Sequence, residues 1–488
     1  MTIFTKDFIE PAPHHESRSH IFDHVAFSVF PTQAEAKTRY YAIFGTRARF
    51  ILMTIVLLCL TIIWSNIITF NFAIICMVPD NKTTDSSFHE FSSREESVAI
   101  AVVAASALVG NFPVVLLINK FGIRTIFAIL GLLSGLATLL IPLAVDHGFA
   151  LLLICRAFQG FAFASNFAVI GAFCAKWAYY KQSGLFVSVL VAFVQLSPAI
   201  TMPASGGLCH SLGWQSIFYF HGGITIFLFL LYLFAYRNSP HRHPLVGEVE
   251  RDKISRDKIG PNDKKVSQGI PYKAIITTKE IWGIWLATLG IFTAVNTAFL
   301  YSPSYMTHVL NMPATETGIS SAFPPLGEFF AKILIGMVSD KMRCFSEVTK
   351  FRLFNTFAFV GGAIFLTILG FIDPEHKKVC IGLLTAAMTI LGASSAGFFK
   401  AAPVLSKQYS HFVTGCLLLG FSFTMLIVPA IVNWLAPHDT AEEWRNMFLF
   451  VAAALCIANI IFVYLIEGEP CAWTRDDEPA NPIVVRRI

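Results

Sequence analysis

The sequence predicts an all-α membrane protein with twelve transmembrane helices arranged as two pseudo-symmetric bundles of six. Three observations support this fold class. Hydrophobic residues make up 55% of the 488-residue chain and charged residues only 14%, against roughly 25% charged residues in an average soluble domain. The mean hydropathy is +0.63. Long apolar stretches recur along the chain in two sets, separated by one charged segment.

Each predicted helix corresponds to one apolar stretch, and nearly all exceed the ~20 residues that cross ~30 Å of hydrocarbon as a helix. Such helices satisfy their backbone polar groups internally, and the alternating pattern of a membrane β-barrel is not found. The stretches lie near residues 50–78, 97–118, 125–145, 149–174, 184–208, 214–236, 280–303, 318–339, 351–371, 379–401, 411–436 and 445–466. The predicted organisation is a tail (1–49), a first bundle (50–236), a linker (237–279), a second bundle (280–466) and a tail (467–488).

The distribution of basic residues predicts which side of the membrane each loop occupies. Most Lys and Arg residues outside the helices fall on one side if both chain ends are cytosolic, which is the bias of short cytosolic loops. The N-terminal tail lacks the short apolar core of a removable signal peptide. Asn81 begins an Asn-Lys-Thr glycosylation signal in the first loop of the other side. We expect both termini in the cytosol and a glycoprotein of the plasma membrane or an endolysosomal or vesicular membrane.

The linker, residues 237–279, is basic and contains several Pro and Gly turn signals, so it is expected in the cytosol with part of it forming a surface helix.

The ten cysteines are scattered, mostly in helices, with no spacing typical of metal ligands. We interpret them as small core residues and expect no metal and no cofactor.

One arginine lies inside a predicted membrane helix. Arg156 is about seven residues into the fourth helix, and Gln159 and Asn166 follow it on the same helical face. Placing an arginine at such depth costs at least about 2.5 kcal/mol, so it requires a wet cavity or a polar partner. A forked cationic donor suits a carboxylate or phosphate substrate. The alternative is a structural tie from Arg156 to neighbouring carbonyls.

A second charged feature lies in the eighth helix, in the stretch EFFAKILIGMVSDK. Glu328 sits near the middle of the helix and Lys332 lies one turn further on, in the favourable order for an ion pair. A mid-membrane carboxylate can take up a proton when burial raises its pKa. The pair either lines the transport pathway, as a coupling or gating pair, or ties two helices together. Lys332 is also long enough to reach the membrane interface.

Further polar residues occur within apolar helices and are candidates for a central cavity, although each alone is better explained by a hydrogen bond between helices. They are Asn66, Asn71, Gln195, Asn296, Tyr301 and Lys400.

Two short turns, one in each half, end the second and the eighth helix with similar residues. The first reads NKFGIRT and contributes Lys120, Gly122 and Arg124. The second reads SDKMRC and, with the helix end before it, contributes Gly336, Asp340, Lys341 and Arg343. Repeats of this kind are typical of transporters. We expect both turns to hold the cytosolic side shut by pairing with helix ends of the neighbouring bundle.

These turns resemble the repeated loop motif of the major facilitator superfamily, and the stretch CRAFQGFAFA is similar to its helix-4 pattern at Arg156, Gln159 and Gly160. Within that superfamily the chain resembles the branch of sialin, the vesicular glutamate transporters and the type I phosphate cotransporters. The stretches GWQSIFYFHGGI, SPSYM, AEEWRNMF and EGEPCAW carry this likeness. The resemblance implies two rocking six-helix bundles around a central site.

The chain departs from that branch at the charged positions. Ile67 aligns with an arginine of the branch, Phe163 with an acidic residue, and Lys181 and Gln182 with an acidic-basic pair. The sequence KAAPVLSKQYSHF stands in place of a His-x-Asp motif. The coupling ion therefore stays open between H⁺ and Na⁺.

The sequence excludes several function classes. It contains no Gly-x-Ser-x-Gly, no phosphate-binding Gly-x-x-x-x-Gly-Lys and no His-Glu-x-x-His, so neither hydrolysis nor ATP-driven pumping is expected. We expect a secondary transporter of a small organic anion or phosphate, with no nucleic-acid partner. Two alternatives remain: a superfamily transporter of a neutral or cationic solute, and a membrane receptor or scaffold that transports nothing.

Overall fold

The computed structural model describes residues 47–77, 91–179, 183–240, 243–244, 246–255, 271–342 and 344–474. Within these ranges, twelve helices are long and apolar enough to cross a membrane, which confirms the predicted fold class. They are α1 Ala48–Met77, α2 Ser93–Ile118, α3 Ile123–His147, α4 Phe149–Cys174, α5 Phe186–Leu212, α6 Trp214–Ala235, α7 Lys279–Val309, α8 Ala314–Ser339, α9 Glu347–Phe371, α10 Lys377–Ser406, α11 Phe412–Leu435 and α12 Ala441–Leu465.

Several connections between consecutive helices are short because the sequence supplies specific turn and cap residues. Gly122, Gly148 and Gly213 join α2 to α3, α3 to α4 and α5 to α6, with φ values of 83°, 125° and 81° that other residues rarely adopt. Capping boxes at Ser92 and Thr440 start α2 and α12. Neighbouring helices therefore run antiparallel.

Three helices of the second half change their winding along their length. In α7 a wider π turn at Tyr305–Val309 follows Pro303, which has no backbone N–H to continue the regular ladder. In α8 a break separates Ala314–Ser320 from Phe323–Lys341. In α10 a 3₁₀ turn at Gly392–Ala396 interrupts the helix near its middle.

The helices pack as two bundles with the same internal pattern. In the first bundle α3 packs on α6, α2 on α4, and α1 on α5 and α6. In the second bundle α9 packs on α12, α8 on α10, and α7 on α11 and α12, the same pairs shifted by six helices. The bundles meet where α2 contacts α11, α5 contacts α8 and α1 contacts α7. We call the face where α1 begins and α12 ends the terminal face, and the other the opposite face.

Part of the linker packs against the terminal face of the first bundle. The predicted surface helix is confirmed at Glu248–Ser255. Its Glu250 is fully buried and accepts a hydrogen bond from the Arg49 backbone N–H at 3.1 Å. His243 lies 2.9 Å from the Ala235 carbonyl through Nε2, and its ring packs edge-on against Trp177. The linker is therefore anchored by one buried carboxylate and one buried imidazole.

The His243 contact predicts a pH-dependent linker. Burial lowers the pKa of His243 below its ordinary value of 6.5, although the hydrogen bond to Ala235 opposes this shift. Docking is therefore strongest above pH 6.5 and weakens as the pH falls, because the undocked imidazole takes up a proton more readily. We expect the protection of residues 246–255 against hydrogen exchange, corrected for the intrinsic pH dependence of amide exchange, to fall in acid, and a His243→Asn variant to lose this dependence. Equal corrected protection above and below pH 6.5 in the native chain would contradict the prediction.

Candidate functional site

Arg156 is fully buried and bonds within the first bundle. Its Nε donates to the Ala99 carbonyl of α2, and its Nη1 donates to the Ile67 carbonyl of α1, both at 3.1 Å. Nη1 also donates to Gln159 Oε1 at 2.9 Å, and the guanidinium lies 4.6 Å from the centre of the Phe70 ring. These contacts tie α4 to α1 and α2. They correspond to the structural role, one of the two roles that the sequence left open for Arg156.

Gln159 extends this arrangement into a wider first-bundle network. Its Nε2 donates to Thr138 Oγ1 of α3 at 2.8 Å and to the Asn66 carbonyl at 3.1 Å. The Asn66 side chain donates to Ser134 Oγ and accepts from Thr225 Oγ1 of α6, each at 3.1 Å. Sequence reasoning missed the three hydroxyl residues, because isolated Ser and Thr in apolar helices carry no pattern. The network stabilises four helices against one another.

Glu328, Lys332 and Gln195 meet at the interface between the bundles. Lys332 Nζ lies 2.7 Å from Glu328 Oε1, and Gln195 Nε2 donates to the same oxygen at 3.1 Å. Gln195 is on α5 of the first bundle and Glu328 on α8 of the second, so this bond links the two halves. Glu328 is 0% exposed and the Lys332 side chain 22% exposed. In the part of the chain that the structure describes, Glu328 Oε2 has no hydrogen-bond partner.

The broken helix α10 completes the surroundings of this charge pair. At Gly392 a Cβ atom would lie only 2.8 Å from the Glu328 carbonyl, so glycine permits α8 and α10 to approach closely. Lys332 Nζ lies 5.7 Å from the centre of the Phe399 ring. Lys400 is 25% exposed and its Nζ is 3.4 Å from Ser339 Oγ. Two partly exposed lysines therefore lie on the terminal side of Glu328.

Two predicted asparagines make bonds inside their own bundles. Asn166 donates to the Leu60 carbonyl at 3.2 Å. Asn296 donates to Thr424 Oγ1 at 2.9 Å and to the Phe421 carbonyl at 3.2 Å, joining α7 to α11. Both side-chain oxygens are buried without a partner among the described residues. Each of these two asparagines therefore bonds within its own bundle, and its side-chain oxygen is left as a hydrogen-bond acceptor without a donor.

The last two candidates lie where α1 meets α7. Asn71 donates to the Leu300 carbonyl at 3.3 Å, a bond between the bundles. The adjacent Tyr301 is 8% exposed, and its hydroxyl lacks a hydrogen-bond partner within the described ranges. They lie nearer the opposite face than the Glu328 pair.

Hydrogen bonds close the interface between α2 and α11 at the opposite face. Asn433 Nδ2 donates to the Ser93 carbonyl at 3.1 Å and to Ser97 Oγ at 3.3 Å. Ser93 Oγ donates to the Pro437 carbonyl at 3.2 Å. We call these four residues the opposite-face clasp. Sequence reasoning did not find them, since they are common polar residues at helix ends.

Helices α5 and α8 touch through their backbones in the same half of the membrane. A Cβ atom at Gly318 would lie 2.6 Å from the Met202 carbonyl, and one at Gly206 would lie 2.9 Å from the Ala314 carbonyl. Glycines at these two positions allow the close contact. The structure is therefore a state in which the two bundles are joined at the opposite face.

The clasp predicts that locking this face blocks transport. In a Ser97→Cys, Asn433→Cys double variant, oxidation is expected to join α2 to α11 and to stop uptake, with recovery on adding a reductant. The reason is that rocking requires the bundles to separate alternately at each face. Each single variant is treated in the same way. It shows whether the oxidant or the reductant changes uptake through the native disulfide described below. Undiminished uptake by the cross-linked protein would show that this face does not open.

Charged residues from both bundles also meet near the clasp. Asp439 Oδ2 lies 3.1 Å from His308 Nδ1, and Asp439 Oδ1 accepts from Trp444 Nε1 at 2.7 Å. The charge of Glu96, on α2, interacts with those of Asp439 and His308. Sequence reasoning missed this group, because its members come from three separate segments.

The first repeated turn bonds within its own bundle. Gly122 has a φ of 83°, and the Arg124 backbone N–H donates to Asn238 Oδ1 at 2.9 Å. The Arg124 guanidinium donates twice to the Leu233 carbonyl, at 2.8 and 3.2 Å, at the end of α6. Lys120 is exposed. It stays a prediction that this turn closes the cytosolic side by contacting the second bundle.

The second half repeats the arginine contact at a position that sequence reasoning missed. Arg352 Nη2 donates to the Ile466 carbonyl at 2.9 Å, joining the start of α9 to the end of α12 as Arg124 joins α3 to α6. Gly336 has open space beside it and Lys341 is exposed. Two predicted gating groups lie outside the described residues: Arg343 and the side chain of Asp340.

The interpretation of all ten cysteines as small core residues is wrong. Cys76 and Cys209 form a disulfide between the ends of α1 and α5, with their Cα atoms 6.2 Å apart. The two residues are 133 positions apart, so their pairing depends on helix packing and not on sequence spacing. Cys344 is also exposed, while four cysteines are buried and in no disulfide: Cys59, Cys155, Cys380 and Cys471.

The glycosylation signal at Asn81 lies outside the described residues.

Twelve membrane-crossing helices in two matched bundles, with a buried charge pair at their interface, define a multi-pass membrane transporter. The sequence pattern of the Major Facilitator Superfamily matches residues 50–406, and the chain belongs to this superfamily. Its members and the relatives below are transporters, which confirms the exclusion of enzymatic function and implies a small-molecule substrate and a lipid bilayer as partners.

The chain is similar to several curated transporters. It is 28% identical to human (Homo sapiens) "Sialin" over 354 residues, covering 72% of this chain and 70% of sialin. It is 26% identical to "Sodium-dependent phosphate transport protein 1" of Mus musculus over 392 residues, covering 80% and 84% of the two chains. It is also 26% identical to the "Probable small intestine urate exporter" of Mus musculus, covering 80% and 79%. These matches confirm the predicted branch.

Solved structures show the same fold. A bacterial homolog to the human lysosomal transporter Spinster, in an inward-facing and unoccupied conformation, gives a TM-score of 0.64 at 14% identity, covering 85% of this chain and 97% of that one. Its inward-facing and occupied form gives a TM-score of 0.62. The likeness establishes the architecture of two six-helix bundles.

Proposed function

We propose that this chain moves a small organic anion or phosphate across the membrane by alternating access, in symport with protons. The printed names of its relatives, which include a phosphate transport protein and a urate exporter, support an anionic substrate. The observation that carries the proposal is the buried Glu328–Lys332 pair at the bundle interface.

Lys332 is the cationic group best placed to meet an anion. Its ammonium is partly exposed on the terminal side of the interface, whereas Arg156 is fully buried and bonded to α1 and α2. Lys400 adds a second partly exposed ammonium on the same side. Because Ile67 stands where the related branch carries an arginine, the positive charge for the substrate is supplied by the second bundle. Arg156, Gln159 and the polar residues around them support that site indirectly.

The pair also explains how a proton can accompany the substrate. With both groups ionised the pair is neutral, and an anion approaching Lys332 is repelled by the Glu328 carboxylate. Protonation of Glu328 removes that repulsion and leaves Lys332 free to pair with the substrate. The unpartnered Glu328 Oε2 is an oxygen on which the proton can reside. Proton and anion therefore bind together.

We place the terminal face in the cytosol and the opposite face toward the extracellular space or an organelle lumen. The Cys76–Cys209 disulfide lies at the opposite face, and disulfides persist in oxidising compartments. The basic linker follows from the terminal face, in agreement with the charge bias of cytosolic loops. Glycosylation at Asn81 tests this orientation: a glycan removed by Asn81→Gln is expected, and its absence on the native protein at the cell surface would contradict it.

Uptake by purified protein in liposomes tests the function. We expect inward flux of carboxylates or phosphate that an inwardly directed proton gradient stimulates. Stimulation by a sodium gradient alone would overturn proton coupling and retain the anion. Flux of only neutral or cationic solutes would overturn the anionic substrate. A protein that binds solutes but carries no flux under any gradient would be a receptor or scaffold.

A further inference from the structure

Six aromatic side chains form a continuous group across the bundle interface, which we call the interbundle aromatic cluster. Trp64 lies 5.0 Å from Phe163 and 5.5 Å from Phe421, measured between ring centres. Phe421 lies 5.0 Å from Phe292, which lies 6.2 Å from Phe399. These separations fall in the range of favourable ring contacts. The members are Trp64, Phe163, Phe167, Phe292, Phe399 and Phe421.

The cluster lies between the bundles and away from lipid. Trp64 and Phe163 come from the first bundle and Phe421 from the second, and these three rings are at most 1% exposed. Phe167 and Phe399 are partly exposed. Since both contacts of Phe421 with Trp64 and Phe163 cross the interface, separation of the bundles would uncover those ring faces.

Polar atoms are built into this apolar group. The Trp64 indole N–H is buried and, within the residues that the structure describes, has no hydrogen-bond acceptor. Asn296 Oδ1 is likewise unpartnered, and the Asn296 side chain is bonded to the Phe421 carbonyl. A buried donor or acceptor without a partner is unfavourable, so the Trp64 N–H and the Asn296 oxygen are both available to a ligand entering between the rings. At the other end, Lys332 Nζ lies 5.7 Å from the Phe399 ring centre.

Resting on the proposed function, we propose that the substrate is an anion with a flat apolar ring, whose ring packs into the interbundle aromatic cluster while its charge pairs with Lys332. A ring inserted between the bundles replaces the contacts that Phe421 makes with Trp64 and Phe163. The Trp64 N–H donates to a polar atom on the ring or next to it. A phosphate ion alone offers no surface to the rings.

The test compares substrates that differ in the ring. Uptake of benzoate, lactate and inorganic phosphate is measured in proteoliposomes with the native protein and with Phe421→Leu, which keeps an apolar side chain and removes the ring. The control is Phe234→Leu in α6, whose side chain is 79% exposed. We expect the native protein to prefer benzoate, and Phe421→Leu to raise the KM for benzoate about tenfold with little effect on the other two. Phe234→Leu should change nothing.

The outcomes separate this inference from the proposed function. Equal changes for all three anions, or no change for any, would overturn the aromatic site and leave anion transport in place. Absence of uptake for every anion by the native protein would instead overturn the proposed function. If Phe421→Leu does not fold, Phe399→Leu at the exposed edge is used, with the same expectation. A Trp64→Phe variant, which keeps an aromatic ring and removes the N–H, tests the indole donor with 4-hydroxybenzoate, whose ring carries a polar group. We expect its KM for this anion to rise relative to benzoate, and an unchanged ratio would exclude the Trp64 donor.

Discussion

Replacing Arg156 with leucine is expected to prevent accumulation of folded protein. The substitution leaves the Ala99 and Ile67 carbonyls and Gln159 without their buried donor. Each buried acceptor left without its donor costs about 1–3 kcal/mol, so the three losses together are a large part of the stability of a typical protein. The measurement is the yield of monodisperse protein by size-exclusion chromatography and, for any protein recovered, its thermal unfolding midpoint.

The matched control for this prediction is Arg445→Leu. Arg445 is also on a membrane helix and donates to Glu442 at 2.8 Å, but its side chain is 35% exposed. Its loss should change the free energy of unfolding by no more than about 1 kcal/mol. An Arg156→Lys variant cannot reproduce the forked donor geometry and should recover little stability. If that variant unfolds like the native protein yet transports nothing, Arg156 acts on the substrate and not on the fold.

Neutralising Glu328 is the second change with a large expected effect. Glu328→Gln keeps the shape of the side chain and a polar contact to Gln195 but can no longer take up a proton. We expect uptake to fall by about 100-fold and to lose its dependence on the proton gradient, since the coupling group is absent. Uptake is measured in liposomes over a range of external pH. Glu467→Gln, which removes an exposed carboxylate paired with Lys279, is the control.

The partner variants distinguish coupling from simple structural support. Lys332→Leu leaves the buried Glu328 carboxylate without its counter-charge, which should destabilise the protein. The double variant Glu328→Gln, Lys332→Leu removes both charges and is expected to recover folding without recovering transport. Normal pH dependence of uptake in Glu328→Gln would assign the pair to a structural tie between helices.

The two charged features of the membrane region thus have different surroundings in the structure. Arg156 is held by carbonyls of its own bundle, whereas Glu328 and Lys332 lie at the boundary between bundles with Gln195 as the link. A group at that boundary changes its environment when the bundles rock, and a group inside one bundle does not. This difference makes the Glu328 pair the better candidate for coupling.

The two equivalent arginine contacts, made by Arg124 and Arg352, differ in whether the sequence motif includes the residue. The turn residues around Arg124 were recognisable from the sequence, and the structure shows that its guanidinium caps the end of α6. Arg352 makes the equivalent contact to α12 without belonging to the repeated motif. Only the shared packing of α3 on α6 and α9 on α12 reveals that the two residues correspond.

The sequence by itself determined the membrane class, the twelve crossings, the division into two sets of six and the positions of Arg156, Glu328 and Lys332. These properties are local: the length of an apolar run and the cost of a charge in lipid depend on residues close together in the chain.

The tertiary structure alone decided which of these residues meet. Gln195 reaches Glu328 across 133 residues, and Cys76 pairs with Cys209 over the same separation. The aromatic rings of five helices likewise come together only at the bundle interface. Helical periodicity gives the face on which a side chain lies, but the rotation and tilt of each helix follow from the packing of all its neighbours. For that reason the partners of a buried residue are a property of the whole fold.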